Sequence, residues 1–216
     1  MTIRIVVVDY GGVLTNPLVE TFTEFATLVG LGVEELFGAF AAATQRYGQT
    51  PMADLETGAI TEHQMVLRIL AELPRGHGGA LDGRPFGELW FRGRRPNEPF
   101  VSFLRTLKGE GYELAMLTNN VREWEPRWRA QLPVDELFRL VVDSHKEGVR
   151  KPSPEIYQIL LSRLGAEPAE CLFVDDTEEN VEAARALGIP SVLFTDTDSG
   201  VHEIRLALKS DGGTAR

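Results

Sequence analysis

Short apolar runs that alternate with helical patterns restrict the fold of this chain more than any other feature of its sequence. The runs are rich in β-branched residues and almost continuously apolar, which is typical of strands buried on both faces of a parallel sheet. They occupy residues 3–8, 113–117, 140–142, 171–174 and 191–194. Strands that alternate with helices form parallel sheets through right-handed crossovers. The sequence therefore predicts an α/β fold with a doubly wound, Rossmann-like parallel sheet.

The segment between the first two runs departs from this alternation. It contains no convincing strand, and its apolar residues follow helical spacing, as Phe22, Phe25 and Leu28 do. A stretch of about 80 residues is far longer than a crossover helix requires. We therefore predict a helical subdomain at residues 15–96, inserted into a core of residues 1–14 and 97–216. A glycine-rich turn is expected at residues 75–79, and a frayed terminus from residue 210 onward.

Charge and cysteine content narrow the classes of partner. The chain has 22 Lys and Arg against 32 Asp and Glu, a net charge of −10, which gives no electrostatic drive toward nucleic acid. A single cysteine cannot form an internal disulfide, which suits a reducing compartment. No apolar run approaches the length of a transmembrane helix. We expect a cytoplasmic protein whose partners include neither nucleic acid nor membrane.

Polar residues follow four of the apolar runs, where a parallel sheet binds its ligands. They are Asp9 after the first run, Thr118 and Asn119 after the second, Lys151 in the loop after the third, and Asp175 and Asp176 after the fourth. One polar residue at a strand end is as often a loop former as a functional group. Complementary groups at four successive strand ends instead indicate a site.

The chemistry of these groups favours a metal and a phosphate. Three close carboxylates repel one another unless they are protonated or hold a cation. Oxygen ligands without clustered His or Cys favour a hard metal, Mg²⁺ first. Lys151 and Thr118 would then contact phosphate oxygens, and Asp9 is placed to attack phosphorus as a carboxylate nucleophile.

Four segments together resemble the motifs of the haloacid dehalogenase (HAD) superfamily, a large group made up mostly of phosphatases. They are residues 9–14, 117–119, 148–157 and 173–176, the last followed by Asn180. The helical insert is similar to the cap that closes over the substrate in this family. Its residues 55–61, which include Glu56, resemble the cap turn of the branch with bacterial sugar-phosphate phosphatases and the amino-terminal phosphatase domain of soluble epoxide hydrolase.

The resemblance implies a Mg²⁺-dependent hydrolase of a small phosphate monoester, and it assigns a role to each matching residue. Asp9 would be the nucleophile that forms a phospho-aspartyl intermediate, and Lys151 would orient Asp9 and the phosphate. The metal ligands would be Asp9, the Gly11 carbonyl and Asp176, with Asp175 ligating directly or through water. The residues implied to bind substrate or phosphate are Thr118, Asn119, Gly12 and Glu56.

Gly11 is the one departure from the family pattern. Most family phosphatases have a second Asp two residues after the nucleophile, which protonates the leaving group and later activates water. General acid–base help of this kind is worth roughly 10²–10⁴-fold in rate. Three outcomes stay open: a slower phosphatase that uses water or Glu56, a preference for good leaving groups, or a protein that is not a phosphatase.

Two other functions are alternatives to the phosphatase. A metal-free 2-haloacid dehalogenase would typically have Tyr two residues after the nucleophile and Ser in the second motif, whereas this chain has Tyr10 one residue after Asp9, and Thr118. Its paired acids after the fourth run would also be superfluous. A catalytically weak protein that binds a phosphorylated ligand would have no chemical reason to keep the nucleophile, the lysine and the acidic pair.

Overall fold

The computed structural model describes residues 2–74, 79, 81 and 84–211. The expected turn at residues 75–79 lies, apart from Gly79, outside the described residues. The same holds for residues 212–216 of the expected frayed terminus; before them a helix continues to Asp211.

The core is a sheet of five parallel strands in the order β3-β2-β1-β4-β5. The strands are β1 (Ile5–Val8), β2 (Glu113–Thr118), β3 (Leu140–Asp143), β4 (Cys171–Asp175) and β5 (Ser191–Leu193). Each overlaps one of the predicted runs, so the α/β prediction with a parallel sheet is confirmed. Val8 lies opposite both Met116 and Val174, so the carboxyl ends of the three central strands meet at one edge.

Both faces of the sheet are covered by helices, as the continuously apolar strands require. In chain order the helices are α1 (Leu18–Val29), α2 (Val33–Tyr47), α3 (Pro51–Glu56), α4 (Glu62–Leu70), α5 (Phe86–Trp90), α6 (Glu98–Gly109), α7 (Glu125–Gln131), α8 (Val134–Leu137), α9 (Ser144–Glu147), α10 (Pro154–Leu164), α11 (Glu178–Ala186) and α12 (Thr197–Asp211). Shorter helical turns lie at Tyr10–Leu14, Arg122–Trp124 and Pro168–Glu170.

Alternate residues of β1 belong to two separate apolar cores. Val6 and Val8 lie in the larger core, and Ile5 and Val7 lie in a smaller core with residues of α10 and α11. This arrangement follows from the two-residue period of a strand, which sends successive side chains to opposite faces. All four residues of β1 are fully buried, which explains why the sequence shows no polar alternation there.

Helices alone form the regular structure of the described residues between the first turn and Pro96. The two chain connections to this segment run side by side: the Asn16 N–H donates to the Arg95 carbonyl at 2.9 Å, and the Asn97 N–H donates to the Leu14 carbonyl at 2.8 Å. The segment packs against the sheet end through stacked rings, with Phe86 and Trp124 at 5.9 Å and 5° between planes. The division into a core and a separate cap stays a prediction.

Within the described ranges, none of the helices is by itself both long and apolar enough to cross a membrane. The pair α1 and α2 meets that length and composition only when taken together, across a bend of 102°.

Candidate active site

Asp9 directly follows the central strand and opens the site. Its N–H donates to the Val174 carbonyl at 2.9 Å, which continues the ladder between β1 and β4 by one residue. The chain then turns sharply at Tyr10–Leu14, where Gly12 adopts a φ of 78°. The Asp9 side chain is therefore held at the carboxyl edge of the sheet, largely out of solvent.

Lys151 bridges two of the carboxylates. Its Nζ lies 2.7 Å from Asp9 Oδ1 and 2.6 Å from Asp175 Oδ2, and the side chain is only 1% exposed. Burial opposes the charge on Lys151, but Asp175 and Asp9 outweigh it and raise its pKa. Burial is also the main cause that raises the pKa of Asp9; Asp175 and Asp176 add to it, and Lys151 opposes it.

Asn119 fixes the backbone of Lys151 from the neighbouring strand end. Its Oδ1 accepts from the Lys151 N–H at 2.8 Å, and its Nδ2 donates to the Lys151 carbonyl at 3.0 Å. Both functional groups of the Asn119 amide are therefore engaged. The observed contacts of this side chain orient the lysine.

The two carboxylates at the end of β4 differ in the number of hydrogen bonds that they accept. Asp175 Oδ1 accepts from the Thr177 N–H at 2.9 Å and from Asn180 Nδ2 at 3.0 Å, and its Oδ2 meets Lys151. Asp176 accepts one side-chain bond, from the Thr177 hydroxyl at 3.3 Å. Asp176 is thus the freer of the two to take an additional ligand.

Gly12 allows Asp176 to approach the first turn. A Cβ built on Gly12 would lie 1.9 Å from Asp176 Oδ2, and the φ of 78° is itself one that side chains rarely adopt. Only glycine satisfies both conditions.

The carboxylates fit a hard divalent cation. One oxygen from each of Asp9, Asp175 and Asp176 can be chosen so that all three lie within 4.8 Å of one another. Oxygen donors with this much negative charge are the set that Mg²⁺ prefers. Burial, followed by the charge of Asp175, raises the pKa of Asp176. A cation bound here would therefore reduce the electrostatic repulsion between the carboxylates.

A cavity of about 180 Å³ opens in front of these residues. Cations line it at Arg94, Arg150 and Lys151, and aromatic rings line it at Trp90 and Trp124. The cavity is therefore lined by charged groups on one part of its surface and by aromatic rings on another.

Glu56 lines the same cavity and ties α3 to the loop that carries Lys151. Its Oε2 lies 2.8 Å from Arg150 Nε, and its carbonyl accepts from the Ser144 hydroxyl at 2.6 Å. Burial is the largest cause that raises the pKa of Glu56, with Arg150 opposing it. Through these contacts the helical segment reaches the sheet edge.

The structure brings most of the residues singled out in the sequence to this edge. Asp9, Gly11, Glu56, Asn119, Lys151 and Asp176 line the cavity. Asp175 lies behind Lys151 and is fully buried. Gly12 and Thr118 are not among the lining residues in the described part of the chain; Gly12 meets Asp176, and the buried Thr118 hydroxyl has no hydrogen-bond partner there.

Arg94 is the principal residue of the cavity that the sequence did not reveal. It is 5% exposed. Its sequence neighbours Arg92 and Arg95 are instead solvent-exposed and form surface ion pairs. Nothing in the residue types of this run distinguishes the buried arginine from its neighbours.

Residues 3–188 match the family model of the haloacid dehalogenase-like hydrolases. The chain therefore belongs to this family of hydrolases. The resemblance drawn from the four motifs is confirmed, whereas the type of cap is not tested by the match.

The curated relatives match this chain over part of their length. The chain is 34% identical over 115 residues to bifunctional epoxide hydrolase 2 of Sus scrofa, a match that covers 51% of the chain and 21% of that protein. It is 36% identical over 118 residues to sesquiterpene phosphatase astK of Aspergillus oryzae, covering 51% and 57%. The matches thus span between about one fifth and three fifths of the length of these relatives.

Solved structures share the fold over nearly the whole chain. A HAD family enzyme of Bacteroides thetaiotaomicron superposes with a TM-score of 0.68 at 23% identity, covering 89% of this chain and 93% of that one. A 2-haloacid dehalogenase of Pseudomonas syringae superposes with a TM-score of 0.65 at 14% identity, covering 97% and 99%. The curated relatives include a phosphatase and the solved structures include a dehalogenase, so the activity has to be argued from the site.

Proposed function

We propose that this chain is a Mg²⁺-dependent phosphatase that hydrolyses a small phosphate monoester through a phospho-aspartyl intermediate on Asp9. The observation that carries the proposal is the cluster in which Lys151 joins Asp9 to Asp175 while Asp176 completes a set of three carboxylates. The phosphatase names among the curated relatives support it, including a phosphoglycolate phosphatase of Aquifex aeolicus at 30% identity over 120 residues, covering 54% of this chain and 55% of that protein.

The acidic pair Asp175 and Asp176 also supports the metal, because a dehalogenase that works without a metal has no use for this pair beside the nucleophile. Asp9, Asp176 and the Gly11 carbonyl would hold Mg²⁺, with Asp175 close behind them. When bound, the ion would neutralise negative charge on the phosphoryl oxygens and on the carboxylates around it. Lys151 adds a fixed positive charge at the same point, so an anionic nucleophile and an anionic phosphate can approach each other.

In the first step, an oxygen of Asp9 attacks phosphorus, the bond from phosphorus to the ester oxygen breaks, and the electron pair leaves with that oxygen. In the second step, water attacks the phospho-aspartate, which releases inorganic phosphate and restores the Asp9 carboxylate. Thr118, whose buried hydroxyl has no hydrogen-bond partner among the described residues, would contact the phosphoryl group near Lys151. Asn119 would do the same through the Nδ2 hydrogen that is not used in its bond to Lys151. Helices α1 to α5 would act as the cap that excludes water until the intermediate has formed.

Hydrolysis of 4-nitrophenyl phosphate, with and without Mg²⁺, tests the proposal. We expect turnover that requires the metal and that falls by more than about 10⁴-fold in Asp9→Asn, which removes the nucleophile. The matched control is Asp135→Asn, a carboxylate 92% exposed and paired only at the surface, which should retain full activity.

Three results would contradict the proposal. Equal turnover in the presence of a metal chelator would exclude the metal role. Halide release from 2-chloropropionate, without phosphatase activity, would identify a dehalogenase. Binding of inorganic phosphate without turnover of any phosphate ester would identify a binding protein.

A further inference from the structure

The space beside Gly11 is filled by a cation. A Cβ built on Gly11 would lie 3.0 Å from Arg94 Nη2 and 3.9 Å from Asp9 Oδ2. The guanidinium therefore reaches the point where a side chain at this position would begin, next to the nucleophile. The backbone at Gly11 has φ −74° and ψ 125°, which any residue adopts, so strain does not explain the glycine. What the glycine makes room for is Arg94.

Arg94 is anchored on one side and open on the other. Its Nη1 donates to the Asn16 carbonyl and to the Thr21 hydroxyl, both at 3.2 Å. Its guanidinium lies 5.6 Å from the centre of the Tyr10 ring. Its buried Nε has no hydrogen-bond partner in the described part of the chain, and the side chain lines the cavity. An arginine that served only to hold α1 in place would have no reason to line the cavity beside the nucleophile.

A guanidinium at this point has a different chemistry from a carboxylic acid. Arginine stays protonated in proteins, so it does not transfer a proton to a leaving group. It can instead donate hydrogen bonds to an oxygen that is gaining negative charge, which lowers the barrier without proton transfer.

We propose that Arg94 is a catalytic residue that stabilises the leaving oxygen as an anion, so that the substrates of this site are phosphate compounds with acidic leaving groups. The proposal rests on the phosphatase function proposed above and specifies its substrate class. Suitable leaving groups are carboxylates, phosphates and acidic phenols, whose conjugate acids have pKa values of about 4, 6 and 10. Simple alcohols, with pKa values close to the 15.7 or so of water, are not in this class.

The step balances without an acid. As an Asp9 oxygen bonds to phosphorus, the bond to the leaving oxygen breaks and its electron pair stays on that oxygen, which departs as an anion held by Arg94. In the second step, the attacking water keeps one proton on the new phosphate and releases the other to solvent.

A series of leaving groups tests the role of Arg94. We compare kcat/KM for 2,4-dinitrophenyl, 4-nitrophenyl and phenyl phosphate, together with acetyl phosphate and ethyl phosphate, in the wild type, Arg94→Gln and Arg94→Lys. In Arg94→Gln we expect a loss of about 10²-fold or more on phenyl phosphate but less than about 10-fold on 2,4-dinitrophenyl phosphate. The activity of Arg94→Lys on phenyl phosphate should lie between that of the wild type and that of Arg94→Gln. Added guanidinium should restore part of the activity of Arg94→Gln.

The neighbouring Arg95 supplies the matched control. It is half exposed and pairs with Glu20 and Glu24 at the surface, so Arg95→Gln should leave the dependence on the leaving group unchanged. A loss of equal size on every substrate, or no loss, in folded Arg94→Gln would overturn the proposal, because a structural arginine does not distinguish leaving groups. Efficient hydrolysis of ethyl phosphate by the wild type would overturn it as well.

A second variant keeps the proposal open to refutation if Arg94→Gln does not fold. In Gly11→Asp the new carboxylate would pair with Arg94, so we expect activity to fall most on phenyl phosphate. A rise on ethyl phosphate would contradict the proposal. Failure of the wild type on every substrate would instead refute the phosphatase function itself, and the two failures are therefore distinguishable.

Discussion

The cavity has two walls that are built in different ways. The sheet-edge wall consists of Asp9, Lys151 and Asp176, with Asp175 buried behind them. The buried Lys151 lies within 2.7 Å of both Asp9 and Asp175 and holds this wall together. The helical wall consists of Glu56, Trp90 and Arg94, together with Trp124 on the turn that follows β2, and it offers ring faces and a buried guanidinium.

The difference between the walls suggests a division of labour. Strand ends that are locked together by the sheet can hold reacting groups at fixed distances, which suits the chemical step. Polar contacts between side chains, such as the pair of Glu56 and Arg150, join the helical wall to the sheet edge. We expect the helical wall to determine the substrate specificity and the sheet-edge wall to carry out the chemical step.

The largest effect should come from Lys151→Ala. The substitution leaves Asp9 and Asp175 buried as neighbouring like charges, and breaking a buried ion pair in this way typically costs about 3–5 kcal/mol of stability. We expect a loss of this size in urea unfolding, together with the loss of phosphatase activity.

The matched control for this prediction is Lys146→Ala. Lys146 is half exposed and pairs with Glu125 at 2.7 Å, and an exposed pair is worth at most about 1 kcal/mol. Equal destabilisation by the two substitutions would show that the sheet-edge wall does not depend on the buried lysine.

The next effect concerns the approach of Asp176 to the first turn. Gly12→Ala forces Asp176 to move, whereas Gly30→Ala introduces a side chain at a similar φ of 72° with nothing within 4 Å. Both should lose about 1–2 kcal/mol to the left-handed backbone. Only Gly12→Ala should also raise the Mg²⁺ concentration for half-maximal activity, by about 10-fold. An unchanged metal response would separate Gly12 from the metal site.

A smaller effect is expected on the helical wall for Glu56→Gln. If Glu56 mainly orients Arg150, kcat/KM should fall by less than about 10-fold, whereas a general acid would be worth about 10²–10⁴-fold. A loss in the larger range would instead make Glu56 the replacement acid.

Stability measured against pH gives Glu56 a second test. Because burial raises the pKa of Glu56 in the folded protein, the folded state holds its proton to a higher pH than the unfolded state does. Stability should therefore fall as pH rises above the ordinary range of a glutamate. Glu56→Gln lacks this titration, so its stability relative to the wild type should rise between pH 4 and pH 7, values chosen on either side of about 4.3.

The smallest effect is expected inside the sheet, away from both walls. Cys171 is fully buried in β4, and burial raises the pKa of its thiol to about 11. The folded protein should not react with a disulfide reagent at mildly alkaline pH, whereas the urea-unfolded chain should react with one thiol. Because the unfolded thiol ionises first, stability should decline as pH rises from about 9 toward 11. Rapid labelling of the folded protein would contradict this burial.

The sheet-edge wall was largely predictable from the sequence. Asp9, Lys151 and the pair after β4 each follow an apolar run, and parallel strands bring their carboxyl ends to one edge whatever the details of packing. The roles given to these residues stay predictions. For Asn119, the sequence indicated the right place but not the bonds that its side chain makes to the Lys151 backbone.

The helical wall was not predictable to the same degree. Trp124 stacks on Phe86 and also lines the cavity, and no local sequence pattern specifies either contact. The burial of Arg94 could not be predicted, because the residue type is the same for a buried arginine as for an exposed one. Its position depends on how the returning connection at Arg95 pairs with Asn16, which is a contact between residues distant in the sequence.

The sequence by itself determined the parallel sheet, the family and the residues gathered at its edge, because local patterns of apolar and polar residues encode strands and their ends. The tertiary structure alone decided which cation stands beside Gly11, which carboxylate is fully bonded and which is open, and which aromatic rings face the cavity. These facts depend on the packing of the helical segment against the sheet edge, a long-range arrangement that no local pattern specifies.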